Sequence, residues 1–128
     1  MDSIVFGPDL ALGIPVMDQS HRIIFDLLEA MQHLPRPAFD EACQRLANEL
    51  ATDLEEENQL MRTINYAPAD VHQAAHSCIV AAIARAQCLL ANGNEVGSRE
   101  IVRSLPDWLE AHINTMDLAL AVAVTRLK

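Results

Sequence analysis

Apolar side chains in most of this chain recur roughly every three to four residues, which is the period of one buried face of an α-helix. In the first such segment the apolar positions are Ile23, Ile24, Leu27, Leu28 and Met31. Asp18 precedes them and is a suitable N-cap residue, because its carboxylate can accept hydrogen bonds from free backbone N–H groups. The pattern therefore predicts a first helix from about Gln19 to His33.

The residues before that helix have no helical period. Glycine and proline interrupt them at Gly7, Pro8, Gly13 and Pro15, which predicts an irregular arm over residues 1–17. Because the arm also carries many apolar side chains, we expect it to pack along the helices.

Three further segments have a helical pattern. Prolines mark the starts of the second and third, which are predicted from about Ala38 to Thr63 and from Pro68 to about Ala91. The fourth is predicted from about Arg99 to Leu127, with Ser98 as its N-cap. Pro106 lies inside it, so we expect a kink there, or a break and a restart.

Four helices joined by short connections predict an all-α fold, an up-down-up-down four-helix bundle over residues 18–127. The chain of 128 residues has the length of a single domain, residues 1–128, and its hydrophobic content of 51% is enough for a core. The net charge of −9 argues against nucleic-acid partners and against docking on an anionic membrane.

Two further features bear on the compartment. The longest late apolar run, Leu118 to Val124, is too short to span a bilayer, and the N-terminus lacks the basic start and long apolar run of a signal peptide. The three cysteines, Cys43, Cys78 and Cys88, are odd in number and contain no Cys-x-x-Cys pair, so we expect free thiols. These features predict a cytoplasmic protein.

Two pairs of side chains suggest chemistry on adjacent helices. Asp53 and Glu57 are four residues apart on the second helix, and His72 and His76 are four apart on the third, so each pair shares one helix face. If these faces meet inside the bundle, their polar groups need a partner that offsets desolvation, and a metal ion suits such a donor set. Either pair alone also occurs in ordinary core or surface positions.

The other two helices extend this pattern. The first helix offers His21, and the fourth offers His112 and Asp117. Asp117 follows His112 by five positions, a separation that would place the two on different sides of an α-helix. If these histidines bind metal, each should also donate its second ring nitrogen to a neighbouring acceptor. We expect His33, which lies at a helix end, to be exposed at the surface.

Five stretches of this sequence resemble the bacterial hemerythrin family, and together they span most of the chain. They are Asp18-Gln19-Ser20-His21, the segment from Asp53 to Met61, Tyr66-Ala67-Pro68, His72-Gln73-Ala74-Ala75-His76, and the segment from Trp108 to Asp117. The first stretch is shifted by one residue inside the family motif. The last two stretches match in both residue type and spacing.

The resemblance implies a non-haem centre of two iron ions that binds dioxygen. It implies that three histidines hold one iron, that His21 serves the second iron, and that Glu57 and Asp117 bridge the two. The three histidines are His72, His76 and His112. The second iron would keep an open position for dioxygen. An apolar oxygen pocket is implied at Ile24, Leu54, Trp108, Leu109 and Ile113, although such a stripe is also ordinary core packing.

The sequence departs from the family at Asp53, where the family has histidine. If Asp53 binds the second iron, directly or through water, its charge and hard oxygen donor favour ferric over ferrous iron. The dioxygen adduct should then be short-lived. The other interpretation is that Asp53 points to solvent and leaves the second position weak or empty. Leu54 replaces a family phenylalanine and should loosen the pocket wall.

Three functions remain open at this stage. The first is a di-iron protein that binds or senses dioxygen, with any sensing relayed to a partner protein; this function needs no turnover. The second is a carboxylate-rich di-iron enzyme that reduces dioxygen or peroxide. The third is a bundle that has lost its metal and serves in protein interaction.

Overall fold

A computed structural model describes residues 6–127 and confirms the four-helix bundle. Its elements are a short 3₁₀ turn at Pro8–Leu10, helices α1 (Pro15–Met31), α2 (Ala38–Thr63), α3 (Ala69–Ala91) and α4 (Glu95–His112), a π-helical segment (Ile113–Asp117), and α5 (Leu118–Arg126). The segment joins α4 to α5, so these three elements form the fourth helix of the bundle. Consecutive helices pack together, and α1 also packs against α4, which closes the bundle around one interior.

The first helix begins earlier than the sequence pattern predicted. It starts at Pro15, whose fixed φ and missing N–H suit the first helical position. Asp18 therefore lies inside the first turn and is not the N-cap. Its carboxylate instead accepts hydrogen bonds from the backbone N–H groups of Leu12 at 2.8 Å and Gly13 at 3.1 Å. Asp18 thus fixes the loop that leads into α1.

The predicted arm packs against the bundle wherever the structure describes it, and residues 1–5 of the prediction lie outside the described residues. Leu10 and Ile14 are buried, and the Phe6 ring lies 6.3 Å from the Phe25 ring between centroids. The arm is less irregular than predicted, because it contains the 3₁₀ turn and the first residues of α1.

The bounds predicted for α2 are confirmed, and α3 begins at Ala69, one residue after its predicted start at Pro68, which is the N-cap. The predicted start of the fourth helix is not confirmed. Asn94 is the N-cap of α4, and its side chain accepts a hydrogen bond from the Gly97 N–H at 2.9 Å. Ser98, the predicted cap, lies buried one turn inside the helix. The helix also begins four residues earlier than predicted, at Glu95.

The fourth helix departs from α-geometry after Pro106. Helix α4 runs through Pro106 without a break, so the predicted restart is wrong. The departure is the π-helical segment, which lies between His112 and α5. In an α-helix, side chains five residues apart differ by about 140° around the axis. The wider π turn reduces that angle and brings His112 and Asp117 to the same side, with Nε2 and Oδ1 3.1 Å apart.

One helix in residues 6–127, α3, is long and apolar enough to cross a membrane. It reaches a mean hydropathy of 1.5 over an 18-residue window, of which 28% is buried. Core helices of bundles pass the same test of length and composition. In this structure α3 packs against α2 and α4 and buries His72 and His76 between the helices.

The interior consists of two apolar clusters with a polar layer between them. Along α1, for example, Met17 belongs to the smaller cluster and Ile24 to the larger, with the buried His21 between them. Along α2, Leu50 belongs to the larger cluster and Met61 to the smaller. The predicted chemistry of the chain is concentrated in the layer between these two clusters.

Candidate metal centre

Seven buried histidine and carboxylate side chains form the polar layer, and all four helices of the bundle contribute to it. We call His72, His76 and His112 the three-histidine set, and Glu57 and Asp117 the shared carboxylates. We call His21 and Asp53 the carboxylate-rich set, because together with the shared carboxylates they offer one imidazole and three carboxylates. These are the seven candidate ligands predicted from the sequence. The structure brings all of them together, and Asp53 does not point to solvent, because it is only 3% exposed.

Helical spacing positions most of these groups. Asp53 and Glu57 lie one turn apart on α2, and His72 and His76 lie one turn apart on α3 with their ring centroids 4.5 Å apart. The His112 ring stacks on Trp108, at 4.8 Å between centroids and 12° between planes. This stacking restricts the orientation of the His112 imidazole.

The two oxygens of Glu57 face different sides of the centre. Glu57 Oε1 lies 3.0 Å from Nε2 of His72 and 3.0 Å from Nε2 of His76. Glu57 Oε2 lies 3.2 Å from Nε2 of His21. One oxygen therefore faces the three-histidine set, and the other faces the carboxylate-rich set.

The two oxygens of Asp117 also face different sides of the centre. Its Oδ1 lies 2.9 Å from Nε2 of His72 and 3.1 Å from Nε2 of His112. Its Oδ2 lies 3.2 Å from Nε2 of His21. Both shared carboxylates thus have the arrangement of a ligand that spans two adjacent cations.

Several of these short contacts are not hydrogen bonds. Asp117 Oδ1, Asp53 Oδ1 and His112 Nε2 are buried without a hydrogen-bond partner in the part of the chain that the structure describes, and so is His76 Nε2. His21 Nε2 lies within 3.4 Å of three carboxylates, although one imidazole nitrogen carries at most one proton. Donor atoms that converge without satisfying one another fit a bound cation.

The donor atoms fall into two groups that fit two metal positions. In the first group, the three-histidine set and the shared carboxylates each place one donor atom within 4.8 Å of all the others. The second group, with the same spacing, contains His21, Asp53 and Glu57. Imidazole and carboxylate donors suit iron, zinc and manganese.

In the absence of a cation, protons on the imidazoles offset part of the buried negative charge. Burial opposes the charged form of His21, but the adjacent Asp117, Asp53 and Glu57 raise its pKa to about 12. Burial likewise opposes the charged form of His72, and Asp117 and Glu57 raise its pKa to about 9. A metal ion must displace these protons before the imidazoles can bind it.

The three buried carboxyl groups differ in the direction in which their pKa values are shifted. Burial is the largest influence on Asp53 and, with the nearby Glu57 charge, raises its pKa to about 7. Burial would also raise the pKa of Glu57, but His21, His72 and His76 outweigh it and lower that pKa to about 2. For Asp117 too, neighbouring imidazoles outweigh burial and lower the pKa. The shared carboxylates are therefore ionised at neutral pH.

We expect the free energy of unfolding to depend on pH differently in the metal-free and the metal-loaded protein. A histidine whose pKa is raised by folding stabilises the fold below about 6.5, and this stabilisation is lost as the pH passes the folded value, about 9 for His72 and about 12 for His21. The raised pKa of Asp53 has the same sign, with loss as the pH rises through about 7. The free energy of unfolding of the metal-free protein should therefore fall from pH 6 to pH 10.

Metal affinity should rise over the same interval, because fewer protons compete for the ligands. Urea unfolding at several pH values, with chelator and with excess metal, measures both trends. The Asp26→Asn variant is a suitable control, since it changes an exposed charge on α1, whereas the seven side chains are buried. Parallel pH trends for the two forms would contradict the placement of metal at these groups.

The five predicted oxygen-pocket residues differ in how deeply they are buried. Ile24, Leu109 and Ile113 are buried in the larger apolar cluster, while Leu54 and Trp108 are partly buried against it. Leu54 also lines an open groove between α2 and α3 that reaches His76. The assignment of these five residues to an oxygen pocket remains a prediction.

Two sequence-based expectations about the surroundings are not met. His21 Nδ1 is buried and lacks an acceptor among residues 6–127, so the expected second partner of a ligating histidine is absent there. The π-helical segment, which aligns His112 with Asp117, was also not expected from the sequence. The signal was their separation by five residues, which an α-helix cannot bring to one face.

Comparisons with known proteins agree with this geometry. The sequence matches the family described as Hemerythrin HHE cation binding domain over residues 12–123. It is 28% identical to a bacteriohemerythrin of Stenotrophomonas maltophilia over 125 residues, covering 94% of this chain and 81% of the relative. It is 26% identical to a bacteriohemerythrin of Ralstonia nicotianae over 117 residues, covering 91% and 85%. No solved structure gave a significant match.

Proposed function

The chain belongs to the Hemerythrin HHE cation binding domain family, and from this premise we propose that it holds two iron ions and binds dioxygen. The three-histidine set would hold the first iron and the carboxylate-rich set the second. The shared carboxylates would bridge them. This function requires dioxygen as the only exogenous ligand, and sensing would need a partner protein to receive the signal.

The observation that best supports this proposal is that the two oxygens of each shared carboxylate face different sets of side chains. Glu57 and Asp117 each direct one oxygen to the three-histidine set and the other to His21. A single metal position would need only one oxygen from each group. Two positions use both oxygens, and they neutralise negative charge that is otherwise buried.

The protein side chains would act by holding and enclosing the iron. When bound, a ferrous pair would supply the electrons that dioxygen binding draws on. Buried apolar side chains, including Ile24 and Ile113, limit the access of water to this layer. The stacked Trp108 keeps the His112 ring in its binding orientation.

A second function, dioxygen or peroxide reduction, is favoured by one specific observation. Asp53 is buried beside His21, with Oδ1 3.4 Å from Nε2, where it can add a third carboxylate to the centre. Such a carboxylate would favour the ferric state of a bound iron. The same side chain can therefore shift the centre from reversible binding toward reduction.

The optical spectrum of the ferrous protein after exposure to air separates these functions. A persistent adduct spectrum that reverses under vacuum is the result expected for dioxygen binding. Rapid conversion to a ferric spectrum, with continued oxygen consumption when reductant is supplied, would replace the binding function by the reductase. Failure to take up iron at all would contradict both and favour an interaction bundle.

A further inference from the structure

An open groove between α2 and α3 connects the solvent with the three-histidine set. Its walls include Leu54 and Asn58 from α2 and Gln73, His76 and Val80 from α3. The volume of the groove is about 490 Å³. The water shell of a hydrated divalent ion occupies roughly 180 Å³, if each water takes the volume it has in the liquid. A hydrated metal ion can therefore fit into this groove.

His76 is the candidate ligand that an ion in this groove would meet first. Its side chain is 7% exposed, whereas those of His72 and His21 are 2% and 1% exposed. The side chain of His112 is 6% exposed, but its ring is stacked against Trp108. The groove thus leads to an accessible imidazole at the edge of an otherwise enclosed centre.

Two polar side chains span the groove next to His76. The amide nitrogen of Gln73 donates a hydrogen bond at 3.3 Å to the amide oxygen of Asn58, which joins α3 to α2. We call this pair the amide bridge. Because the hydrogen bond is exposed, water can replace it at little net cost in free energy. The amide bridge can therefore open without any change in the buried core.

Val80 lies at the position from which a side chain can cover His76. It follows His76 by one helical turn on α3, and helical side chains lean back over the preceding turn. Val80 is 52% exposed, and its short side chain leaves His76 accessible from the groove. A larger side chain at this position should close the path without entering the core.

We propose that this groove is the route by which iron enters and leaves the centre, and that the amide bridge of Asn58 and Gln73 controls passage through it. The net charge of −9 attracts cations to the protein, and amide oxygens at the groove can replace waters of an entering ion. This inference rests on the proposed two-iron function, but it concerns the rates of iron loading and removal.

These two rates can be measured without any activity assay. Metal-free protein is mixed with ferrous iron under nitrogen, desalted at successive times and analysed for iron content. Removal is followed by the absorbance of the ferrous complex of ferrozine, at chelator concentrations above which the rate no longer increases. Circular dichroism checks that each variant keeps its helices.

Val80→Phe should slow both loading and removal by about tenfold and leave the final iron content unchanged, because a barrier on the path affects both directions equally. Val71→Phe is the matched control, since it makes the same substitution on α3 at a residue that is 61% exposed and does not line the groove. This control should keep the rates of the unmodified protein.

Gln73→Ala removes the amide bridge and should accelerate both loading and removal by roughly threefold, the modest effect expected from loss of one exposed hydrogen bond. Because Gln73 is exposed and alanine favours helix, the variant should fold normally. The final iron content should again be that of the unmodified protein.

The opposing outcomes are distinct from one another. Unchanged rates in Val80→Phe would overturn the groove as the route and leave the two-iron function intact. Slower loading with a lower final iron content would show damage to the centre in place of a barrier, and would also overturn the route. Unchanged rates in Gln73→Ala would overturn the role of the amide bridge. Failure of the folded, unmodified protein to bind iron would overturn the proposed function as well.

Discussion

Replacing Glu57 by glutamine should reduce the iron bound to this protein from two ions per chain toward one or none. Glu57 is the carboxylate whose two oxygens face His21 on one side and His72 and His76 on the other. Glutamine keeps the size of the side chain but removes the charge and one of the two oxygen donors. Loss of a direct ligand should weaken iron binding by at least about 100-fold, beyond the range seen when only a ligand's supporting partner is lost.

The measurement is iron content after anaerobic loading and desalting. Glu55→Gln is the matched control, since Glu55 lies two residues away on α2, is exposed, and pairs with Arg62 at 2.9 Å. This control should retain two irons per chain. Far-ultraviolet circular dichroism checks that both variants keep their helices. Two tightly bound irons in Glu57→Gln would show that Glu57 does not bridge metal positions.

Replacing Asp53 by histidine should slow the oxidation of protein loaded with iron alone by about tenfold, a change that corresponds to roughly 1.4 kcal/mol in activation free energy. Asp53 lies buried against His21 and adds negative charge at the second position. Histidine removes that charge and restores the ligand type that the family has there. Ferric iron then loses part of its preferential stabilisation, so the dioxygen adduct should persist longer.

Oxidation rate and iron content must be measured side by side, so that occupancy is not mistaken for reactivity. Gln59→His, on the exposed face of α2, provides the control for an added imidazole. The helix should tolerate the main substitution, because histidine and aspartate have similar helix propensities. If the two proteins oxidise equally fast at equal iron loading, Asp53 does not control the reaction. The wall around Leu54 and Trp108 would then be its determinant.

The sequence was sufficient to predict the features that depend on helical period and on helix-ending residues. The bounds of α2, and those of α3 to within one residue, follow from the prolines near their starts and from the apolar period that continues through both helices. It also identified all seven side chains of the polar layer. Spacing of four residues on α2 and α3 fixes a shared face, and burial of such groups requires a common partner.

The missed features depend on interactions between segments. Asp18 resembles an N-cap in sequence, but its carboxylate binds the backbone of the preceding loop, so α1 begins at Pro15. Pro15 was interpreted as a helix breaker, although proline is also favoured at the first helical position. The π-helical segment requires a shift in backbone hydrogen bonding that the apolar period does not reveal.

The sequence also could not predict which side chains each oxygen of a shared carboxylate faces. Spacing places Glu57 on the buried face of α2, but the direction of each oxygen depends on His21 from α1 and His72 from α3. The same limit applied to Asp53, for which the sequence left both solvent exposure and metal binding open. Its burial beside His21 follows from the packing of α1 against α2.

The most direct test of two metal positions is a crystal structure of the protein loaded with iron alone, with anomalous diffraction measured at the iron absorption edge. Two anomalous peaks about 3.5–4 Å apart are expected, the separation typical of paired metal sites. Glu57 and Asp117 should each contact both peaks, while His21 and Asp53 contact only the second. A single peak, or a pair in which neither carboxylate touches both ions, would contradict the two-metal centre.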